Sequence, residues 1–223
     1  ATRTNPDVKK HEGLSLFAVD MKTPGIRVDP MDLLSDHDIN VTFYDDVRVP
    51  ASALVGGENR GWRLITNQLN HERVTLCAPG MLEGAYEDTL NWAKETRRAD
   101  GSRVIDQEWV QMNLARVRAG LEFVRLLNWK VAWTGTQGKL NVADASAIKV
   151  YGTEFYMESF RHLMEIIGPR AYLTRDSRGN AVHGYLEALY RSLLILTFGG
   201  GTNEIQRDLI GMFGLGLPRA PRM

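Results

Sequence analysis

Residues 198–207 read FGGGTNEIQR and stand near the end of a chain that turns helical from about residue 59. Three consecutive glycines let the backbone lie close against a flat ligand, because they have no Cβ atom. Thr202 is a favourable N-cap for a helix that follows, and a helix N-terminus offers free amides to carbonyl or phosphate oxygens. The alternative interpretation is a helix C-cap followed by a flexible hinge. No Gly-Lys-Ser/Thr follows, which excludes a phosphate-binding P-loop.

The chain that leads to this stretch has the period of a helical bundle. The predicted helices span about residues 59–97, 107–134, 142–167 and 184–197, and a last short helix begins at Thr202. Pro79 and Gly80 are expected to interrupt the first helix. Apolar residues recur three and four positions apart in the second helix, which is typical of a bundle seam. These are Val110, Leu114, Val117, Leu121, Val124 and Val131, with Asn128 at the one polar position.

Short apolar runs and turn signals in residues 14–55 predict strands over 14–20, 41–44 and 47–49. A sheet of about three short strands is marginal alone, so the chain is expected to be a fragment of something larger. The predicted fold class is α+β and mostly α. We expect a partial antiparallel β-domain over residues 1–57, then an up-down four-helix bundle over 58–223 with a short extra C-terminal helix.

Composition excludes several classes of function. Lys plus Arg and Asp plus Glu number 27 each in 223 residues, so no strongly basic field recruits nucleic acid or anionic lipid. Cys77 is the only cysteine, which excludes an intrachain disulfide and a four-cysteine zinc site. The apolar runs are far shorter than the about 20 residues of a membrane span, and residues 1–15 lack the apolar core of a signal peptide. We expect a soluble, cytoplasmic protein.

Glu72 is the first candidate for chemistry. At 100° per residue it falls on one helix stripe with Trp62, Ile65, Leu69 and Leu76. Burial without a partner disfavours the charged form of a carboxylate, which is the tuning that a general base near neutral pH requires. The alternative is an ion pair with the neighbouring Arg73 or with an arginine of another helix. Glu83 continues the same stripe beyond the Pro79 break.

Other kinds of site have less support. The five histidines form no HxxxH or HExxH pair, so a catalytic metal is not predicted. No GxSxG is present, which leaves an esterase without its nucleophile. The cluster Arg97, Arg98 and Arg103 flanks a loop and suits phosphate groups through charge-assisted hydrogen bonds; the alternative is a solvated face.

Three longer stretches resemble the acyl-CoA dehydrogenase family in order along the chain. Residues 10–28 (KHEGLSLFAVDMKTPGIRV) are similar to its β-domain, and 43–62 (FYDDVRVPASALVGGENRGW) to its crossing from sheet to bundle. Residues 189–211 (LYRSLLILTFGGGTNEIQRDLIG) resemble its terminal block. The resemblance implies an FAD-dependent flavoprotein of lipid metabolism and fatty acid β-oxidation that converts an acyl-CoA thioester to the trans-2-enoyl-CoA. This chain corresponds to the second half of the β-domain plus the bundle, and alone it is expected to be inactive.

The resemblance also implies a position for the catalytic base. Most members of the family place a glutamate just before Gly-Thr in the terminal block, where this chain has Gly200. A minority, similar to isovaleryl-CoA dehydrogenase, place it on the first bundle helix, which matches Glu72. The resemblance assigns substrate contacts to Asn70, His71, Arg73 and Gly201.

FAD contacts carry over from the family unevenly. The matching positions are Arg97, Glu108, Glu165, Gly168, Thr202, Asn203 and Glu204. Glu108 and Glu165 replace family glutamines. Ionised carboxylates only accept hydrogen bonds and repel a diphosphate.

Partners follow from the resemblance as well. We expect an acyl-CoA substrate, an electron-transfer flavoprotein as acceptor, and a homo- or hetero-oligomer, dimer or tetramer, formed through the bundle. Two hypotheses stay open: an active subunit with Glu72 as base, and a degenerate subunit or scaffold in a hetero-oligomer that acts on bulky, sterol-type acyl-CoAs. A non-enzymatic helical bundle remains a third.

Overall fold

The computed structural model describes residues 1–35, 39–138 and 141–219, without the side chains of Asn70, Arg73 and Val74. These residues form two compact units, one of residues 1–33 and 39–70, and the other of residues 34–35, 71–138 and 141–219. The predicted fold class, α+β and mostly α, is confirmed. The domain boundary at residue 57 stays a prediction.

The strands of the chain are short and antiparallel, and all of them lie in the first unit. They are β1 (Thr2–Arg3), β2 (Leu14–Phe17), β3 (Ile26–Met31), β4 (Ile39–Tyr44) and β5 (Leu54–Val55). β2 pairs with both β1 and β5, and β3 pairs with β4 in a separate ribbon that sets Ile26 opposite Tyr44. Pro30 is tolerated in β3 because each strand of a two-stranded ribbon has a free edge. The strand predicted over 47–49 is wrong, since those residues join no sheet.

A buried hydroxyl ties the first unit together. Ser15 is fully buried, and its Oγ accepts the backbone N–H of Asn59 at 2.7 Å. The Thr4 hydroxyl lies 2.6 Å from the same Oγ and 2.7 Å from Oδ1 of Asn59. A buried polar group costs little when its hydrogen bonds are made, and here they join β2 to the segment before the first helix.

Helices follow close to their predicted bounds. They are α1 (Gly61–Thr75), α2 (Gly80–Glu95), α3 (Glu108–Thr136), α4 (Val142–Ile167), α5 (Tyr185–Leu193) and α6 (Asn203–Gly214). The interruption predicted at Pro79 and Gly80 is confirmed, because α1 ends before Pro79, which is the N-cap of α2. A 3-10 turn over Leu194–Thr197 prolongs α5 to the predicted end.

Helix α4 lies at the centre of the second unit and packs against α2, α3, α5 and α6. It begins where Oδ1 of Asn141 accepts the Ala143 amide at 2.8 Å, and it ends at Gly168 with φ 74°. The predicted seam of α3 is buried at all six apolar positions. Asn128 fills the polar position because its Nδ2 donates to the carbonyls of Cys77 and Val124, each at 3.0 Å. Among the described residues, no helix has the length and hydrophobicity needed to cross a membrane.

Candidate functional site

Glu72 lies near the end of α1, and its side chain is exposed. The sequence predicts a stripe covered by an apolar surface, but Trp62 on that stripe is 47% exposed. The helical period fixes which residues share a side of α1, and it does not say what covers them. Glu72 is therefore exposed in this chain and is not part of its core.

The second carboxylate of the stripe has a different environment. Glu83 accepts a short hydrogen bond from the guanidinium of Arg125, which also bonds Glu122 at 2.5 Å. Glu83 thus has the structural ion pair that was the alternative for this stripe. His71 is exposed beside Glu72, and the side chains predicted to bind substrate at Asn70 and Arg73 lie outside the described residues.

The glycine loop leads directly into α6, and Thr202 is its N-cap as predicted. The Thr202 hydroxyl accepts the Ile205 amide at 3.4 Å. Gly200 has φ 70° and Gly201 has φ 99°, a region in which residues with a Cβ atom are strained. The loop before α6 thus has a shape that requires glycine, and its last two glycines present backbone rather than side chains.

Asn203 and Glu204, the first two residues of α6, have opposite environments. Asn203 is 4% exposed; its Oδ1 accepts from Lys149, and its Nδ2 donates to Thr153 and Glu154 at 3.1 Å each. This leaves Asn203 without a side-chain donor for a cofactor. Glu204 is exposed, and hydrogen bonds from its own amide and from the Thr202 hydroxyl lower the pKa of its carboxyl.

Three arginines lie on the turn between α2 and α3, where Arg97 pairs with Arg103 in a short antiparallel bridge. Arg98 bonds Asp100 at 2.8 Å, and Arg103 bonds Asp106 at 2.7 Å. Arg97 is exposed and donates to the carbonyl of Gly101 at 2.9 Å. Within the described chain, Arg97 is the one of the three without a carboxylate partner, so its charge is the most accessible to an anion.

Glu108 and Glu165, where the resemblance implies glutamines, are both exposed. Glu108 is the first residue of α3. Glu165 accepts the side-chain amide of Asn113 at 2.9 Å, which ties the end of α4 to α3. Gly168 follows as the C-cap of α4. Neither carboxylate donates a hydrogen bond when ionised, so neither replaces the donor that a glutamine offers to a phosphate.

Metal and thiol chemistry find no support in the described part of the chain. No group of three or more His, Cys, Asp or Glu side chains there is placed to hold a metal ion. Cys77 is fully buried, and burial raises the pKa of its thiol to about 12. The thiolate form needed for nucleophilic attack is therefore suppressed.

Lys149 was not predicted from the sequence. It is fully buried on α4 and donates to the carbonyl of Gly201 at 2.8 Å and to Asn203 at 2.6 Å. A signal was present, since Lys149 shares a helix face with Tyr156 and Phe160 at helical spacing. A lysine among such residues calls for buried acceptors.

Comparison with known proteins covers nearly the whole chain. The family model described as "Acyl-CoA dehydrogenase, C-terminal domain" matches residues 59–215. Acyl-CoA dehydrogenase FadE26 of Mycobacterium tuberculosis is 49% identical over 228 residues, which cover 100% of this chain and 57% of FadE26. FadE29 of the same organism is 42% identical, again over 100% of this chain and 57% of the relative. The chain thus spans little more than half the length of these relatives.

Two solved structures resemble this chain over a similar share of their length. The crystal structure of the ChsE4-ChsE5 complex from Mycobacterium tuberculosis superposes with a TM-score of 0.89 at 49% identity, over 98% of this chain and 56% of that one. The Tcur3481-Tcur3483 steroid ACAD superposes with a TM-score of 0.89 at 40% identity, over 98% and 56%.

Proposed function

This chain belongs to the acyl-CoA dehydrogenase family, and from that premise we propose that it is the carboxy-terminal part of an FAD-dependent enzyme that oxidises an acyl-CoA thioester to the trans-2-enoyl-CoA. The observation that carries this proposal is the placement of two positions. Gly200 offers no side chain at the family's usual base position, while Glu72 presents an exposed carboxylate at the alternative one. The full-length protein that contains these residues is called the parent below.

Several residues of this chain fit FAD. Arg97 has an exposed guanidinium whose one hydrogen bond among the described residues goes to the carbonyl of Gly101 in its own turn, which suits the diphosphate. Thr202 and Glu204 are exposed at the start of α6, where the free amides of a helix N-terminus suit ring carbonyls. FAD, when bound, supplies the acceptor for the hydride that leaves Cβ.

Other positions implied by the resemblance fit FAD less well. We assign Asn203 to the support of the loop, since its side chain is buried and bonded on all sides. Glu108 and Glu165 would repel a diphosphate, and Glu165 already accepts from Asn113. Contact of this chain with the diphosphate therefore depends on Arg97, with Gly168 leaving room at the end of α4.

The role of Glu72 is to take the proton from Cα. A carboxylate that accepts a proton must be reachable by the substrate, and Glu72 is exposed. His71 precedes Glu72 on α1 and is exposed, and we propose that it lines the thioester end of the site. The substrate contacts that the resemblance assigns to Asn70 and Arg73 remain part of the proposal. Gly201 would contact the thioester through its backbone. Glu83 takes no part, because its carboxylate is held by Arg125.

The second candidate function is a degenerate subunit, or a scaffold, of a hetero-oligomeric enzyme for bulky, sterol-type acyl-CoAs. It is favoured by Gly200, which lacks the side chain that a glutamate would place at this position. The relatives support it through their names alone: one is solved as a complex of two named chains, and another is called a steroid ACAD.

An exposed apolar stripe on α3 supports assembly through the bundle. Six large side chains on this helix are about half exposed or more, which are Trp109, Met112, Phe123, Leu126, Trp129 and Trp133. Large apolar side chains left exposed on one helix are a feature of surfaces that bind other proteins. We propose that these side chains of α3 pack against another subunit of the family.

On family grounds alone, we also propose that the enzyme is cytoplasmic and that an electron-transfer flavoprotein accepts its electrons.

The test uses the parent, purified alone and together with any related subunit encoded beside it. Each preparation is examined for the visible spectrum of bound flavin and then for flavin bleaching when acyl-CoA is added. The variant Glu72→Gln is expected to bind flavin and fail to bleach, because the amide does not accept the Cα proton. Glu87→Gln makes the same change at an exposed carboxylate of α2 and is expected to bleach normally.

The outcomes separate the two candidates. Unchanged bleaching in Glu72→Gln removes Glu72 from the mechanism. Bleaching that needs the related subunit and is unaffected by Glu72→Gln favours the degenerate subunit. A colourless protein in every pairing overturns both enzyme proposals. A straight-chain acyl-CoA and a sterol-type acyl-CoA are compared in each case, since preference for the bulky substrate is what the space at Gly200 predicts.

A further inference from the structure

Lys149 is a buried cation that the proposed chemistry does not use. Its side chain has no solvent exposure. The Nζ atom donates to the carbonyl of Thr197 at 3.1 Å, to the carbonyl of Gly201 at 2.8 Å and to Oδ1 of Asn203 at 2.6 Å. Three acceptors match the three N–H donors of an ammonium group. A charge at such a position is tolerated only when it is hydrogen-bonded in this way.

The three acceptors lie before the glycine triplet, at its last residue and after it. Thr197 ends the 3-10 turn that precedes it, Gly201 is its last residue, and Asn203 is the first residue of α6. Lys149 therefore bridges the chain before the loop to the helix after it. Glycine-rich backbone loses more conformational entropy on ordering than any other, so a loop of three glycines needs an external group to hold one conformation.

The contacts of Asn203 extend this bridge. Its Nδ2 donates to Thr153 and Glu154 of α4 at 3.1 Å each, and Glu154 also accepts from Arg207 of α6 at 2.8 Å. The start of α6 is thus fastened to α4 by side chains, with Lys149 at the buried end and Glu154 at the exposed end. The position of the helix N-terminus is fixed by α4.

The hydrogen bonds to the loop carbonyls also fix the direction in which the neighbouring amides point. The C=O and N–H groups of a trans peptide point in opposite directions. Because the carbonyl of Gly201 points at Lys149, the amide of Thr202 points away from it. The carbonyl of Gly200 is bonded by Nε2 of Gln206 at 3.3 Å, which turns the amide of Gly201 away from Gln206. In the described part of the chain, neither the Gly201 nor the Thr202 amide has an acceptor.

We propose that Lys149 is a positioning residue that holds the Gly199–Gly201 loop so that the amides of Gly201 and Thr202 face an acceptor oxygen of a bound ligand. Gln206 holds the adjacent peptide in the same way. The identity of that ligand, FAD or the acyl thioester, rests on the proposed function; the hold of Lys149 on the loop does not. Lys149 itself touches neither.

The experiment compares parent proteins carrying Lys149→Met, Lys149→Gln and Lys130→Met. Methionine keeps the length of the lysine and removes the three donors, and glutamine restores a part of them. Lys130→Met is the matched control, since Lys130 is exposed on α3 and pairs with Asp144 at 2.8 Å. Amide hydrogen exchange by mass spectrometry is followed in peptides that cover residues 198–207 and, separately, in α3 and α4.

In Lys149→Met we expect exchange in the loop peptide to rise about tenfold or more, the factor that corresponds to losing one charge-assisted hydrogen bond. The exchange rate of the loop peptide in Lys149→Gln is expected to lie between those of the wild type and Lys149→Met. Lys130→Met is expected to exchange like the wild type. In flavin-loaded parent, Lys149→Met is expected to raise KM or to weaken the flavin spectral change on acyl-CoA binding. In Lys149→Gln, the proton transfer to Glu72 is expected to remain.

Two results would overturn the proposal. One is unchanged exchange in residues 198–207 of Lys149→Met. The other is a rise of equal size in α3, α4 and the loop, which indicates general destabilisation. If Lys149→Met does not fold, Lys149→Gln decides by the same comparison. If wild-type parent shows no turnover, the proposed function fails, and the exchange experiment still decides for Lys149.

Discussion

A methyl group on Gly201 would lie 2.6 Å from Nε2 of Gln206, the atom that bonds the carbonyl of Gly200. The backbone of the loop before α6 therefore packs directly against the side chain of Gln206 in that helix. Gly201 also has φ 99°, so any other residue there is strained even if Gln206 moves. We expect Gly201→Ala to lower the free energy of unfolding by about 1–2 kcal/mol, and to weaken ligand binding more than this loss of stability explains.

The control for Gly201→Ala is Gly135→Ala. Gly135 lies in the last turns of α3, and nothing lies within 4 Å of an added Cβ there. Replacing a helical glycine with alanine stabilises by up to about 1 kcal/mol. Denaturant unfolding of both variants checks the pair, and a Gly201→Ala protein as stable as Gly135→Ala would contradict the prediction.

Arg97 and Arg98 differ in their partners, which gives a matched test for the cofactor. In the part of the chain that the structure describes, Arg97 bonds a carbonyl of its own turn and no carboxylate, whereas Arg98 is paired with Asp100. In the parent, Arg97→Met is expected to weaken FAD binding about tenfold or more, the usual value of a charge-assisted hydrogen bond. Arg98→Met is expected to have little effect. Titration of flavin-free parent with FAD measures both, and equal losses would show a diffuse electrostatic effect.

Gly120 leaves room for the ring of Phe155 between α3 and α4. A Cβ atom on Gly120 would lie 2.0 Å from Cε2 of that ring. We expect Gly120→Ala to destabilise by about 1–3 kcal/mol through overpacking. Combining it with Phe155→Leu is expected to recover part of this loss, which a double-mutant cycle of unfolding free energies measures. Additive effects of the two changes would argue against direct contact.

Glu204 should give a defined pH dependence. Hydrogen bonds from its own amide and from Thr202 lower the pKa of its carboxyl below the ordinary value of 4.5. A lowered folded-state pKa stabilises the protein above the unfolded pKa, and this contribution is lost as the pH falls through the folded value. The Tm of Glu204→Gln is therefore expected to be lower than that of the wild type at pH 7. The difference between the two Tm values is expected to disappear as the pH falls below 4.5. A gap that persists at lower pH would contradict this assignment.

Cys77 should resist alkylation in the folded protein. Burial raises the pKa of its thiol to about 12, so roughly one thiol in ten thousand is ionised at pH 8. We expect the peptide that contains Cys77 to stay unmodified by iodoacetamide until the protein unfolds. Mass spectrometry of digests taken across a denaturant series measures this, and labelling well before the unfolding transition would indicate local opening at the α1–α2 break.

Secondary structure was largely predictable where its causes are local. The bounds of α4 follow from Asn141 at its start and Gly168 at its end, and Thr202 caps α6 as expected. Strands were predicted less well, because a strand needs a partner. The segment Val47–Val49 joins no sheet, while the two residues of β5 pair with β2.

The candidate site was predictable only in part for the same reason. The helical period put Glu72 and Glu83 on one stripe, yet only the fold supplies Arg125 to Glu83 and leaves Glu72 exposed. Asn203 stood in the terminal block as a position implied for the cofactor, and the fold turns its side chain inward to Lys149.

The sequence by itself determined the helices, their caps, the glycine loop and the family, because these depend on residues close together in the chain or on their order along it. The tertiary structure decided what each side chain meets. Lys149 and Gly201 are 52 positions apart in sequence, and only the packing of α6 on α4 brings the ammonium group to that carbonyl. That packing provides the hydrogen-bond acceptors for the buried Lys149 and fixes the conformation of the glycine loop in FGGGTNEIQR.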